Sequence, residues 1–240
     1  MAKLDKWERQ HLNNLSALDR EIERVYEAAV KEAARLGVSI SDFNPDRLFS
    51  FDDYPITRKR LESLLESLKS GLSAVIVNGV NHEWTLANNK NNELCHQVFG
   101  DNVGKLSNAQ YRRYFKNNEE ARDAFLARKV QGLNLSDRVW KYTNQFKEEI
   151  ELGLDIGLRS GKSAERLQKD LQLFLQHPDM LFRRVRDEHG QLVLSKRAAA
   201  YHPGRGVYRS SYKNARRLVA TETNIAYRSA DFARWQDLDF

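Results

Sequence analysis

The sequence predicts a mainly α protein: long amphipathic helices in an extended bundle, with one small β-hairpin near residues 182–194. Three observations carry this. Apolar residues recur at three- and four-residue steps through most of the chain. Breakers are sparse, with 4 Pro and 12 Gly in 240 residues, which leaves room for long uninterrupted helices. Charged residues make up 30% and hydrophobic ones 41%, a balance that suits helices with wide solvated faces better than a compact α/β core.

The first helix follows from Leu12, Leu15, Leu18, Ile22, Val25, Ala29, Ala33 and Leu36, with Gly37 as its expected stop. Residues 38–55, rich in Asp and Ser with scattered aromatics, read as a packed loop or as an arm lying on a partner. Thr57 is placed to cap a helix carrying Leu61, Leu64, Leu65 and Leu68. Gly71 breaks or weakens that helix, at about 1 kcal/mol relative to Ala. The pattern resumes with Val75, Ile76, Val80, Trp84, Ala87, Leu94 and Val98, and residues 99–102 end it. Ser107 and Gln110 have capping-box spacing ahead of a short helix with Tyr111, Tyr114 and Phe115. A further helix runs from about Glu119 to Val130, and Gly132 marks a break. The division expected there separates an N-terminal helical region, 1–130, from a second region, 131–240.

In the second region Ser136 is the expected N-cap of a helix carrying Trp140, Thr143, Phe146, Ile150 and Leu154. Ser163 caps the next, with Leu167, Leu171 and Phe174. Gly153, Gly157 and Gly161 recur every four residues, a spacing that admits a closely packed helix or reflects tolerated weakness near a helix end. Around Asp187–Gln191 the flanking residues alternate, which with Gly190 predicts the hairpin. The last helix begins at Ser210 or Ser211. Its inward side reads Tyr212, Ala215, Leu218, Val219, Ile225, Ala226, Phe232 and Trp235. Glu222 falls on or beside that side. A carboxylate there requires a cation or several hydrogen bonds. Arg217, Thr221, Arg228 and arginines elsewhere in the chain are available.

Residues 88–92 read Asn-Asn-Lys-Asn-Asn. They are expected to form a solvated helix face; the sharper alternative is an amide cluster that binds backbone in a neighbouring subunit. Charge is uneven. Residues 181–217 hold ten Lys/Arg and two acids, against a net +6 for the whole chain. This excess points to DNA phosphates or an acidic protein surface, contacted through Arg183, Arg184, Arg186, Lys196, Arg197, Arg205, Arg209, Lys213 and Arg216. The single Cys95 leaves no internal disulfide and no Cys-rich zinc site. The six His stand far apart in sequence. No metal, cofactor or small-molecule substrate is expected, and no membrane span or secretory signal. HExxH, G-x-S-x-G and dinucleotide patterns are absent, and Gly161-Lys162-Ser163 lacks the upstream glycine of a phosphate loop. No catalytic residue is assigned.

Ser136-x-Arg138-x-Trp140, then Gly161-x-Ser163, then Arg217-x-x-x-Thr221-Glu222-x-x-x-Ala226 stand in that order. This order resembles the Mu F-like phage head morphogenesis family, the minor head proteins of tailed bacteriophages. The resemblance covers about residues 130–237. It implies a non-enzymatic structural protein of the virion, in the head interior or near the portal, present in the host cytoplasm during assembly. It implies portal or capsid proteins and packaged DNA as partners, and a docking or arm role for residues 1–130. It also implies that Ser136, Arg138, Trp140, Arg217, Thr221 and Glu222 are scaffold positions, with Arg138 or Arg217 able to pair with Glu222. Family members often continue into a β-rich segment with a few Cys and His; here that segment is expected either to lie past Phe240 or to be lacking in a shortened version. Such domains also occur fused to enzymatic effectors, so a toxin delivery segment is the alternative expectation.

Overall fold

The computed structural model describes residues 5–44, 46–177, 184–195, 199–200 and 210–238. Its helices are α1 (Lys6–Val38), α2 (Pro55–Phe99), α3 (Asn108–Tyr114), α4 (Glu119–Ala127), α5 (Leu135–Arg159), α6 (Ala164–Gln176) and α7 (Ser211–Trp235). Strands β1 (Arg184–Arg186) and β2 (Leu192–Leu194) pair antiparallel, with Val185 opposite Val193. The protein is mainly α, as the periodicity predicts. Among the described residues no helix is long and apolar enough to cross a membrane.

Two compact units are built from alternating stretches of chain. The first comprises Met1–Glu21, Ser73–Leu135 and Leu218–Phe240; the second comprises Ile22–Leu72 and Ser136–Arg217. The division expected near residue 131 lies close to one change of unit. The other changes fall inside α1, α2 and α7, where unbroken helical periodicity gives no sign of them.

In the first unit, Leu18, Val80, Trp84, Ala87, Val219, Ala226 and Ala230 are buried. Gly79 lets the helices approach: a Cβ there would sit 2.6 Å from Thr223 Cγ2 and 2.8 Å from Leu18 Cδ1. The capping box at α3 forms as expected. Ser107 Oγ accepts from Gln110 N, and Gln110 Oε1 accepts from Ser107 N at 2.9 Å.

In the second unit, Ile22, Tyr26, Ala33, Phe146, Ile150, Leu154, Leu167, Leu171 and Phe174 form the core. Gly37 does not stop α1. It lies in the last turn, where a Cβ would overlap a δ-methyl of Leu154. Gly71 does not break α2, which runs unbroken for 45 residues; it faces Val25, whose Cγ1 would be 3.2 Å from a Cβ. Pro55, not Thr57, opens α2, because its fixed φ and missing N–H suit the first helical position. Gly153 and Gly157 admit Leu171 and Leu167 of α6, so their spacing does mark a close helix pair. Gly161 instead takes φ +62 in the α5–α6 turn. Ser163 caps α6 through Arg166 N, as its position predicts. The hairpin turn closes through Asp187 Oδ1, which accepts from His189 N at 2.9 Å and Gln191 N at 2.8 Å, and through Gly190 at φ +75.

Candidate functional site

Glu222 is 2% exposed on α7. Arg128 Nη2 donates to its Oε2 at 2.7 Å. Arg128 is well placed because α4 ends there: it is the extended C-cap residue, at φ −63 and ψ 151. Its Nη1 donates to Phe125 O at 2.7 Å, and its guanidinium carbon lies 3.5 Å from the Phe125 ring centroid. Phe125 in turn packs on Trp84. The carboxylate thus joins α7 to α4 by a charge-assisted bond to an arginine held on its other sides. An arginine pairs with Glu222, as the burial argument requires. Its identity, Arg128, was not legible in the sequence.

The remaining motif positions are more exposed than Glu222. Ser136 is exposed and lies inside the first turn of α5, which starts at Leu135, so it is not the N-cap. Trp140 is 41% exposed, with Lys69 Nζ 5.4 Å from its ring centroid. Arg217 and Thr221 are exposed, and Arg138 is half-buried. On α7, Ile225, Phe232 and Trp235 are exposed at 42%, 62% and 56%, contrary to the inward side drawn for them. Tyr212, Ala215, Leu218, Val219 and Ala226 are buried as expected. Ser210 is the N-cap, accepting from Lys213 N and donating to Leu175 O at 2.7 Å.

Of the basic set, Arg183, Lys196, Arg197, Arg205 and Arg209 lie outside the described residues. Arg184 is described in its backbone, as the first residue of β1. Arg186 is exposed, and its Nη1 donates to Gly190 O at 2.7 Å. Lys213 is half-buried, and the half-buried Arg216 lies over the Tyr212 ring.

Further buried polar side chains, which apolar periodicity does not weigh, hold the first unit together. The Asn-rich stretch 88–92 is not a solvated face: Asn88 and Asn91 are 2% and 1% exposed. Its amides do bind backbone, but in the same chain. Asn88 Nδ2 donates to Asn117 O at 3.0 Å, beside Trp84 Nε1 on the same oxygen. Asn91 Nδ2 donates to Asp231 Oδ1 at 2.8 Å, and Asn91 Oδ1 accepts from Trp235 Nε1 at 3.0 Å. Arg234, fully buried, donates to Asn92 Oδ1 at 2.9 Å and to the Tyr114 and Lys116 carbonyls. The α3 C-terminus leaves such carbonyls without helical partners, and a guanidinium there also meets the negative end of the helix dipole. His11 bridges the unit's three longest helices. Its Nδ1 lies 2.6 Å from Glu83 Oε2 and its Nε2 2.9 Å from Asn224 Oδ1, and the ring stacks on Tyr227.

Burial pulls the Arg234 guanidinium below its ordinary value, against the opposing pull of Cys95 and Asp237. Burial likewise pushes the Cys95 thiol and the Tyr227 phenol up. Burial acts to lower Lys90, but the hydrogen bond and charge of Asp231, with Tyr227, outweigh it and leave Lys90 raised.

The second unit uses carboxylates spaced along α5. Glu149 Oε2 accepts from Ser211 Oγ at 2.6 Å, and Glu149 Oε1 from Ser211 N at 2.8 Å. Glu151 Oε1 accepts from Phe51 N at 2.9 Å, and Asp155 Oδ1 from Phe49 N at 2.8 Å. These bonds seat residues 49–51, with Phe49 and Phe51 at 1% and 0% exposure, so this loop is packed within its unit. Burial pushes the Tyr26 phenol up. Chemically, each of these carboxylates is consumed by backbone or side-chain donors that it positions. Comparison with family models, with curated proteins and with solved structures finds no match.

Proposed function

We propose that this chain is a non-enzymatic minor head protein of a phage or prophage, acting in head morphogenesis. The reading holds that it docks on a portal or capsid surface and contacts packaged DNA without sequence selection. The observation that carries it is the use made of Glu222. In the Arg-x-x-x-Thr-Glu segment of α7, the one motif carboxylate is bonded to Arg128 and serves as an architectural pin. The ordering of the other motif pieces supports it. Ser136, Arg138 and Trp140 open α5, and Gly161 and Ser163 form the turn into α6. The excess of cations in residues 181–217 supports the DNA part.

The test has two arms. Mixed with the portal ring of the same phage or prophage, the protein is expected to co-migrate with the ring in size-exclusion chromatography. Binding to random-sequence duplex DNA weakens roughly a hundredfold between about 50 and 200 mM salt, the loss for about four phosphate contacts. Absence of portal association overturns the docking role. Absence of duplex binding, or binding indifferent to salt, overturns the DNA role.

A further inference from the structure

The densest exposed cationic stretch among the described residues of the first unit lies outside residues 181–217. Residues 105–116 contain Lys105, Arg112, Arg113 and Lys116 and no acidic residue. They are carried by α3 and its flanks, and Lys105, Arg112, Arg113 and Lys116 are all exposed. Lys116 is paired with Asp237 at 2.8 Å. Arg112 forms no ion pair among the described residues.

An aromatic row runs beside these cations. Tyr111 is 48% exposed and stacks on Phe115, with centroids 4.7 Å apart and planes 23° from parallel. Phe115 continues the row to the exposed His96, 4.9 Å away. Core packing does not account for Tyr111: one residue before Arg112, it leaves half of a phenol ring in water. A stacked ring of this kind presents a π-face the size of a base, and the guanidinium groups of Arg112 and Arg113, within a helical turn of it, are placed for the adjoining phosphates. Bases in a duplex are already stacked and shielded, so this arrangement fits unpaired ones.

We propose that α3 and its flanks form a binding platform for single-stranded nucleic acid, with Tyr111 stacking a base and Arg112 and Lys105 meeting the backbone. This surface is separate from the 181–217 stretch, and it takes a different form of nucleic acid from the duplex discussed above. It stands whether or not the head-protein reading does.

The test uses the full chain and fluorescence anisotropy with labelled oligo-dT and oligo-rU of about twelve nucleotides, within the span of one such site. Both oligonucleotides bind, and preference for one identifies DNA or RNA as the physiological strand. Tyr111→Ala weakens binding about tenfold, whereas Tyr111→Phe keeps it within about twofold. Arg112→Ala weakens binding and lowers the logarithmic salt slope by about one. Lys196→Glu with Arg197→Glu impairs duplex binding and leaves the oligonucleotides unaffected. Circular dichroism confirms the helical content of each variant, and Tyr111 and Arg112 are exposed enough to be replaced without unfolding. Three results overturn the proposal: no oligonucleotide binding by the wild-type chain; equal binding by Tyr111→Ala; or binding of anionic lipid vesicles that depends on Arg112 while oligonucleotides do not bind.

Discussion

Replacing Glu149 by Ala removes the group that seats the start of α7. In the second unit this carboxylate, 0% exposed, accepts from Ser211 N at 2.8 Å, Ser211 Oγ at 2.6 Å and Gln145 Nε2 at 3.0 Å. Each hydrogen bond to a charged acceptor contributes about 1.5–3 kcal/mol. Ser211 is itself fully buried, so its N–H and hydroxyl have no water to turn to. A carboxylate at a helix N-terminus adds up to about 2 kcal/mol in a buried setting. Because these contributions share one group, they do not sum. The expected loss is about 3–5 kcal/mol, read as a fall in the urea midpoint monitored by circular dichroism. Glu149→Gln keeps the shape and one acceptor oxygen, so it is expected to cost about 1–2 kcal/mol. Amide exchange at Ser211 is accelerated in the Ala variant. If Ala costs under about 1 kcal/mol, or if Gln and Ala are equivalent, the carboxylate is not the clamp described here.

Two further predictions follow from the packing and the titrating groups. Gly157→Val drives two methyls into the space of Leu167 and is expected to destabilise by about 2–3 kcal/mol, whereas Gly104→Ala, with open space around it, is near neutral; matching thermal melts for the two variants would contradict the close α5–α6 contact. Stability also falls in alkali. Lys90 is raised above 10.5, Tyr227 above 10.0 and Cys95 above 9.0, so each holds its proton in the fold to higher pH than in the unfolded chain. Their contribution is complete below those ordinary values and is lost as pH rises through the folded ones. The urea midpoint therefore declines from about pH 9 upward, less steeply in Tyr227→Phe, and a midpoint flat to pH 11 would refute the assignment.

What was legible in the sequence is what local chemistry decides. Apolar steps of three and four located the long helices, and Ser107 and Ser163 marked the starts of α3 and α6, with Ser210 one of two serines offered for α7, because a cap acts within its own turn. Asp187 and Gly190 placed the hairpin turn for the same reason. Gly37 and Gly71 misled because a glycine inside a helix looks, in sequence, like one that ends it. What distinguishes them is the neighbour each faces, Leu154 for the one and Val25 for the other. Asn88 and Asn91 misled in the opposite sense. Glu83 to Asn88, with Thr85 the exception, are buried round most of α2, so amides that would face water on a one-sided helix here face Asn117 and Asp231. The candidate site was half legible. Burial of Glu222 and its need for a cation follow from its register on α7. The cation itself arrives from 94 residues away, and nothing local to Arg128 announces it. A signal did exist for the α5 carboxylates: Glu149, Glu151 and Asp155 interrupt an apolar helix. An acid beside an apolar stripe, however, reads equally well as solvated.

The central claim is that Glu222 is an architectural pin held by Arg128, and a double-mutant cycle tests it most directly. Glu222 has a side chain 3% exposed and Arg128 one 25% exposed. Glu222→Ala leaves Arg128 with Phe125 O and partial access to water, so its cost falls at the low end for a broken buried pair, about 3 kcal/mol. Arg128→Ala removes a 2.7 Å charge-assisted bond from the more deeply buried of the two charges and costs more. In the double variant the losses are expected to fall short of additive by about 1–3 kcal/mol. Losses additive to within about 0.5 kcal/mol, or a Glu222→Ala variant that melts with the wild type, would contradict the account.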